Sequence, residues 1–165
     1  MIHRGFEIHP EVREEGMPLN EYFPNADRMF GQLKAYGEKY NLPFAPITMM
    51  PNTNKALQVG EYAKEIGLSD EFNKAMYKAV FADDINISLE DEIIKIASSV
   101  GIDDDSVRRV WERSIYADIL EENKVYCKTH NITSVPTFII NDRYAIVGAQ
   151  GKENFIKVFD QLKNL

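Results

Sequence analysis

Few side chains in this sequence are of the types that carry out covalent or metal chemistry. Cys127 is its single cysteine, and a lone thiol can form neither an internal disulfide nor a cysteine pair for a metal. It also has no histidine four residues further along the chain. The sequence therefore excludes disulfide-scaffold proteins and cysteine-based metal sites, and we interpret Cys127 as a small, half-buried apolar residue.

The histidines and the tryptophan have ordinary structural explanations. His3 and His9 belong to a predicted strand and its exit, and His130 stands at a predicted helix end, where it interacts with solvent or with the helix dipole. Trp111 lies among apolar residues of a predicted helix and is best explained as a core or domain-interface anchor. We assign no chemistry to these four residues.

A calcium-loop pattern is suggested by Asp84, Asn86 and Ser88, which alternate as ligands do in such loops. The sixth position, however, is Leu89 rather than glycine, and the twelfth is Lys95 rather than glutamate. The pattern therefore predicts no calcium site. The sequence also contains neither a glycine-rich phosphate loop nor a local Ser/His/Asp signature.

Composition narrows the function classes further. The chain has 165 residues, 19 Lys+Arg against 26 Asp+Glu, and a net charge of -7, without any basic cluster. This charge repels phosphate backbones and anionic membrane surfaces, so we expect no nucleic-acid or membrane partner. No apolar run approaches the roughly 18 residues of a membrane span, and residues 1–10 lack a signal-peptide core. We expect a soluble, cytoplasmic protein of one domain or of one domain with a large insertion.

Hydrophobic periodicity predicts one strand, a block of helices, a β-hairpin and a terminal helix. Asn141 and Asp142 tolerate the positive φ angles of a tight two-residue turn and therefore mark the hairpin. The predicted elements are a strand at 2–10, helices at 24–41, 53–67, 69–82, 88–101 and 103–130, strands at 135–140 and 143–147, and a helix at 151–165.

A family resemblance rests on four short stretches. Residues 132–141 (ITSVPTFIIN) resemble the part of thioredoxin-like proteins in which a cis-proline begins the third strand beside the active site. Residues 148–150 (GAQ), 6–10 (FEIHP) and 51–53 (PNT) are similar to DsbA-like oxidoreductases of the FrnE-like group. The similarity covers nearly the whole chain in order, and we identify the chain as a member of that family.

The resemblance implies an α/β class, with a thioredoxin-like fold that is incomplete at the N-terminus and carries a large all-helical insertion. Residues 1–18 and 131–165 would form the discontinuous thioredoxin-like domain, and 19–130 the insertion. In the family, a first strand and a helix bearing Cys-x-x-C come first, and this sequence has no counterpart to them. Cys127 lies far from that position. Disulfide exchange needs one thiolate to attack and a second thiol to resolve the mixed disulfide, so we expect no catalytic residue in this chain.

The family's substrate-binding residues correspond to Ser134, Val135, Pro136 and Thr137. With a cis Val135–Pro136 bond, the N–H and C=O of Val135 would be exposed to pair with an extended peptide, a protein thiol substrate or glutathione. We expect no metal and no cofactor. The missing strand would leave two unpaired sheet edges, so the chain would have to close the gap, recruit a partner's strand or form a homodimer.

Three functions stay open at this point. The chain is part of a disulfide oxidoreductase or isomerase that lacks its catalytic front end, through a misassigned start or truncation. Alternatively it is a redox-silent relative that binds extended peptides. The third alternative is a relative of glutathione-dependent isomerases or kappa-class glutathione transferases. We favour the first as a statement about the family.

Overall fold

The computed structural model describes residues 3–163. Its backbone divides between residues 123 and 124 into two compact units. We call them the helical unit (3–123) and the hairpin unit (124–163). These boundaries differ from the sequence-based division into 1–18 with 131–165 and 19–130, which stays a prediction.

The described residues form helices and short strands. In chain order they are β1 (Met17–Pro18), α1 (Leu19–Tyr22), α2 (Ala26–Glu38), β2 (Met49–Met50), α3 (Asn54–Glu65), α4 (Ser69–Phe81), α5 (Glu90–Ser99), α6 (Asp104–Glu112), α7 (Ser114–Thr129), β3 (Thr137–Ile140), β4 (Tyr144–Val147) and α8 (Lys152–Lys163). In the helical unit β1 pairs antiparallel with β2, and this two-residue ladder was not predicted.

The core of the helical unit lies between α3, α4, α5 and α6. The apolar spacing of the predicted helices places Phe72 and Ile93 on their inner faces, and these residues are 1% and 0% exposed. The same spacing places Ile66 and Leu89 on inner faces, but they are 41% and 48% exposed, and there the prediction is wrong. Each stands at a helix cap, outside the regular turn that its periodicity assumed. Trp111 packs against this core, and its Nε1–H donates to the Lys55 carbonyl at 3.2 Å.

The strand predicted at 2–10 is absent from residues 3–10, which adopt an irregular course; Ile2 lies outside the described residues. Alternating polarity alone cannot make a strand without a neighbour to pair with. Side chains of two helices take the place of that neighbour. Glu61 Oε1 accepts from the Gly5 N–H at 3.0 Å, and Asn123 Nδ2 donates to the Gly5 carbonyl at 3.0 Å.

The predicted helix from 103 to 130 is in fact two helices, α6 and α7. Arg113, between them, is extended at φ -102° and ψ 124°. The start of α6 agrees with the predicted helix start at 103, because Asp103 caps the helix by accepting from the Ser106 N–H at 2.9 Å. Ser88, which we expected to open α5, instead accepts from the Asn52 N–H at 2.8 Å, and α5 begins at Glu90.

Helix α2 lies at the surface, and only Ala26 and Gly37 are buried along it. At Gly37 a Cβ would lie 2.5 Å from the Phe44 ring, so glycine is required for this close approach. Between these two buried residues the helix exposes Leu33 and Tyr36, which are 44% and 54% accessible. The helix is thus buried only near its two ends.

The hairpin unit contains the antiparallel pair β3 and β4, followed by α8. Thr137 lies opposite Val147, and Ile140 opposite Tyr144. The connection is one residue longer than the predicted two-residue turn: residues 141–143 form it, and Asn141 and Asp142 both have φ +52°. None of the helices between residues 3 and 163 combines the length and the apolar composition that crossing a lipid bilayer requires.

Candidate functional site

The four predicted substrate-binding residues lie together at the entrance to β3. Val135 is 49% exposed, Pro136 is exposed, and Ser134 and Thr137 are half-buried. The Val135–Pro136 peptide bond is cis. Two of the four main-chain carbonyls are held in place: that of Ser134 accepts from Thr137 Oγ1 at 2.7 Å, and that of Pro136 accepts from the Gly148 N–H at 2.8 Å. We call these residues the 134–137 segment.

Main-chain groups on the outer side of this segment have no hydrogen-bond partner among residues 3–163. The Val135 N–H and C=O make no hydrogen bond to any part of 3–163. In an antiparallel pair, alternate residues direct their N–H and C=O to the neighbouring strand. Because the Pro136 carbonyl faces β4, Phe138 and Ile140 also face β4, whereas Thr137 and Ile139 direct theirs to the opposite edge. The segment therefore offers donors and acceptors in the spacing that an extended chain requires.

The turn after β4, residues 148–150, is held by several hydrogen bonds. Gly148 has φ +81°, a conformation that favours glycine, and its carbonyl accepts from the Gln150 N–H at 2.9 Å. Gln150 Nε2 donates to the Val147 carbonyl at 3.0 Å, and Gln150 Oε1 accepts from Asn154 Nδ2 at 2.9 Å. The stretch 148–150, which carried part of the family resemblance, thus joins β4 to the first turn of α8.

Helix α8 contacts the hairpin through an aromatic pair. Phe155 meets Phe138 edge to face, with ring centroids 5.0 Å apart. Further along, a cavity of about 490 Å³ opens between the end of β3 and α8. Its lining is mostly apolar with three polar side chains: Ile140, Asn141, Ile156, Phe159, Asp160, Leu162 and Lys163.

The thiol is separate from this segment in the chain. Cys127 lies in α7, is 8% exposed, and its carbonyl accepts from the Ile132 N–H at 2.8 Å. The burial agrees with the interpretation of Cys127 as a packing residue. With one cysteine in the sequence, no pair of thiols can form and resolve a mixed disulfide within one molecule.

The histidines have structural contacts. His130 stacks on Tyr126 at 4.0 Å between centroids, and its Nδ1 lies 2.8 Å from the Tyr126 carbonyl oxygen. His9 Nδ1 lies 2.7 Å from the Tyr22 hydroxyl, which also donates to the Glu11 carboxylate. That hydrogen bond lowers the pKa of Glu11 and raises the pKa of Tyr22. Within 3–163, no three histidine, cysteine or acidic side chains are grouped closely enough to hold a metal ion.

A buried polar cluster in the helical unit was not predicted from the sequence. Asn123 and Glu61 are only 2% and 5% exposed. Asn123 Oδ1 accepts from Arg4 at 3.1 Å, its Nδ2 lies 3.4 Å from Glu61 Oε1, and the Lys64 ammonium pairs with the other Glu61 oxygen. The cluster fixes residues 3–5 against α3 and α7. In the sequence, Asn123 is a polar residue on an otherwise apolar helical stripe, and this pattern was the one signal that could have indicated a buried polar contact.

Comparisons with known proteins find relatives along almost the whole chain. A family model described as "DSBA-like thioredoxin domain" matches residues 1–160. The uncharacterized protein YwbO of Bacillus subtilis is 31% identical over 156 residues, which are 92% of this chain and 76% of YwbO. The crystal structure of a probable DsbA oxidoreductase from Streptomyces coelicolor is similar with a TM-score of 0.88 and 24% identity, over 97% of this chain and 74% of that one. This last likeness concerns the fold.

Proposed function

The chain belongs to the DSBA-like thioredoxin domain family, and from this premise we propose that it binds an extended polypeptide or glutathione at the 134–137 segment. Binding there serves thiol–disulfide exchange, the activity that family membership implies. The observation that carries the proposal is the exposed Val135, whose N–H and C=O make no hydrogen bond within the described chain. The carbonyls of its neighbours Ser134 and Pro136, in contrast, both accept hydrogen bonds.

Main-chain pairing suits a substrate of variable sequence. Hydrogen bonds to N–H and C=O groups recognise any extended peptide, and side-chain pockets add preference. The half-buried Ser134 and Thr137 frame Val135 on both sides. Thr137 Oγ1 holds the Ser134 carbonyl and so fixes the backbone that enters Val135. We propose membership of the FrnE-like group as well, supported by the similarity of 6–10, 51–53 and 148–150.

The exchange chemistry itself needs thiols beyond those in this sequence. A thiolate attacks one sulfur of the substrate disulfide, and the other substrate sulfur leaves as a thiolate. A second thiolate then attacks the first attacking sulfur in the mixed disulfide, which forms a new disulfide and releases the remaining substrate thiolate. Cys127, buried in α7, has no second cysteine to complete these steps. The residues of this chain therefore bind and orient the substrate. A redox-silent peptide-binding protein is the second candidate, favoured by this single cysteine.

Peptide binding tests the proposal directly. A fluorescein-labelled extended peptide is titrated with the protein and followed by fluorescence anisotropy, with retention on immobilised glutathione as a second probe. Thr137→Val should weaken peptide binding about fivefold, because the Ser134 carbonyl loses its hydrogen bond. Thr129→Val is the matched control, since Thr129 Oγ1 bonds a carbonyl of its own helix and should leave binding unchanged.

Absence of binding to both probes would contradict the proposal. An insulin-reduction assay distinguishes both candidates, the substrate-binding part of an oxidoreductase and the redox-silent peptide-binding protein, from a complete enzyme. We expect no turnover by the 165-residue chain, and turnover at the rate of an intact family member would show that our account of the missing thiols is wrong. Peptide binding without turnover is expected for both candidates.

A further inference from the structure

Helix α2 carries an apolar stripe that the fold leaves at the surface. Four apolar or aromatic residues recur at spacings of four, three and four positions, which places them on one face of a helix: Met29, Leu33, Tyr36 and Tyr40. Leu33, Tyr36 and Tyr40 are 44%, 54% and 62% exposed, and Met29 is half-buried. We call these four residues the α2 stripe. This spacing is typical of a helix that packs against a neighbour, yet most of the stripe is open to solvent.

The buried residues of α2 lie beside this stripe. They are Ala26 and Gly37, and they share one line along the helix because eleven positions correspond to nearly three whole turns. The stripe runs roughly 60° to one side of that line. Attachment of the helix to its own unit therefore uses a different line of residues and leaves the stripe exposed.

Two tyrosines of the stripe are positioned by their own contacts. The rings of Tyr36 and Tyr40 lie 5.5 Å apart between centroids, and their hydroxyl oxygens are 3.4 Å apart. The Lys39 ammonium lies 5.6 Å from the centre of the Tyr36 ring. The Tyr40 N–H donates to the Gly37 carbonyl at 2.9 Å, which keeps Tyr40 close to the course of the helix. Covering these rings therefore costs less side-chain entropy than covering mobile ones.

The order of residues makes the stripe complementary to itself. We propose that α2 of one molecule packs antiparallel on α2 of a second copy and forms a reversible homodimer. With the two-fold axis between Leu33 and Tyr36, Leu33 lies opposite Tyr36 of the second copy, and Met29 lies opposite its Tyr40. Each aromatic ring then meets an aliphatic side chain.

The geometry of this pair follows known rules of helix packing. Alternating spacings of four and three are those of the a and d positions through which two helices pack in a coiled coil. A two-fold interface also closes after two copies, so no larger assembly follows. The α2 stripe is distant in the chain from the 134–137 segment, and the dimer does not depend on substrate binding.

The size of the stripe sets the strength of the dimer. With ~200 Å² for a whole aromatic side chain, Tyr36 and Tyr40 present roughly 230 Å² per copy and roughly 460 Å² in the pair. Leu33, Met29 and the flanking polar residues of a helix ~20 Å long add further area. Stable interfaces begin at ~1,200 Å² in total. The pair therefore lies near the lower limit for a stable interface, and we expect a dissociation constant of about 10 μM.

Charges beside the stripe oppose the dimer and make it sensitive to salt. Arg28 and Lys39, also eleven positions apart, lie on one line along an edge of the stripe. In the antiparallel pair, Arg28 of one copy lies close to Lys39 of the other, and each chain carries a net charge of -7. Salt screens both repulsions, so the dimer should tighten as the salt concentration rises. A different protein with acidic residues to match Arg28 and Lys39 would instead bind less tightly.

Sedimentation equilibrium tests the association. The protein is measured from about 1 μM to about 300 μM, on both sides of the expected dissociation constant, at low and at high salt. Tyr36→Ser should weaken association at least tenfold, because Tyr36 lies next to the two-fold axis and its ring is lost twice in each dimer. Tyr77→Ser is the matched control, since it removes a ring that is 65% exposed on α4 and should leave association unchanged.

Disulfide cross-linking tests the antiparallel arrangement. A mixture of Met29→Cys and Tyr40→Cys should form a cross-linked dimer under mild oxidation. Each variant alone should not, because equivalent positions of the two copies lie ~16 Å apart along the axis. The buried Cys127 is present in every sample and provides the background.

Three results would overturn the proposal. A protein that is monomeric at every concentration leaves a different protein as the occupant of the stripe. A dimer that Tyr36→Ser leaves unchanged, or that loosens as the salt concentration rises, is held by another surface. Cross-linking of either cysteine variant alone contradicts the antiparallel pair.

Discussion

Replacing Asn123 by leucine tests how the N-terminal segment is held. Asn123 is 2% exposed, and its amide joins Arg4, the Gly5 carbonyl and Glu61. Leucine keeps the branched shape, with a larger volume, but removes every one of these hydrogen bonds. The Gly5 carbonyl and one Glu61 oxygen then lose a donor inside the protein, at roughly 1–3 kcal/mol for each buried group. With partial compensation from the apolar side chain, we expect the free energy of unfolding to fall by about 3 kcal/mol.

Urea denaturation followed by far-UV circular dichroism measures this loss. Asn154→Leu is the control, because Asn154 is exposed and its side chain makes a single hydrogen bond, to Gln150, so the loss of stability should stay below ~0.5 kcal/mol. Hydrogen exchange at the Gly5 amide gives a local readout, since this N–H is bonded to Glu61. A stability of Asn123→Leu within ~1 kcal/mol of the wild type, with unchanged Gly5 exchange, would refute the reasoning.

Three further predictions concern the helical unit. Phe72→Ala should cost about 3–5 kcal/mol in thermal or urea unfolding, because the ring is 1% exposed, whereas Tyr77→Ala on the same helix should cost less than ~0.5 kcal/mol. Lys55→Met should destabilise the fold by removing two ion pairs, and the difference from wild type should shrink in 1 M salt, measured by parallel urea titrations. Hydrogen bonds from Ser106 lower the pKa of Asp103. Its stabilising effect is therefore complete above the ordinary aspartate range and is lost as the pH falls through the lowered pKa. Asp103→Asn keeps a capping side chain, so it should match wild type at neutral pH and be less sensitive to acid in unfolding measured from pH 7 to pH 2.

Much of the fold follows from local pattern. The helices α2 to α5, the hairpin and α8 were predicted, because apolar periodicity and good terminators such as Gly67 act within a few residues. The extra residue in the 141–143 turn shifts only where β4 begins. Its positive φ angles at Asn141 and Asp142 still agree with the residue types.

The errors arose where distant residues decide. The alternation of 2–10 predicted a strand, but a strand exists only with a neighbour to pair with. In residues 3–10, the side chains of Glu61 and Asn123 take the place of that neighbour by bonding to Gly5. The break at Arg113 carries neither glycine nor proline, so nothing local marks it. Ser88 was read as a cap from spacing alone, whereas its hydroxyl serves the Asn52 N–H.

The candidate segment was predictable for a different reason. Residues 134–137 were found through a family resemblance, and their types alone would not have distinguished them from any strand entrance. The sequence could not reveal that Thr137 holds the Ser134 carbonyl or that Gly148 holds that of Pro136. Nor could it show that a cavity lies between Ile140, Ile156 and Phe159, because residues of β3 and α8 form it together.

The sparse burial of α2 also bears on how the protein is degraded. Proteases cut segments that can open locally, and the cost of opening scales with the contacts that are lost. Of the residues in α2, only Ala26 and Gly37 are buried, while Leu33 and Tyr36 are exposed. Chymotrypsin, which cleaves after such aromatic residues, should therefore make its first cut in α2 while α3 to α6 are still intact. This surface helix would then set the lifetime of the chain in a proteolytic environment.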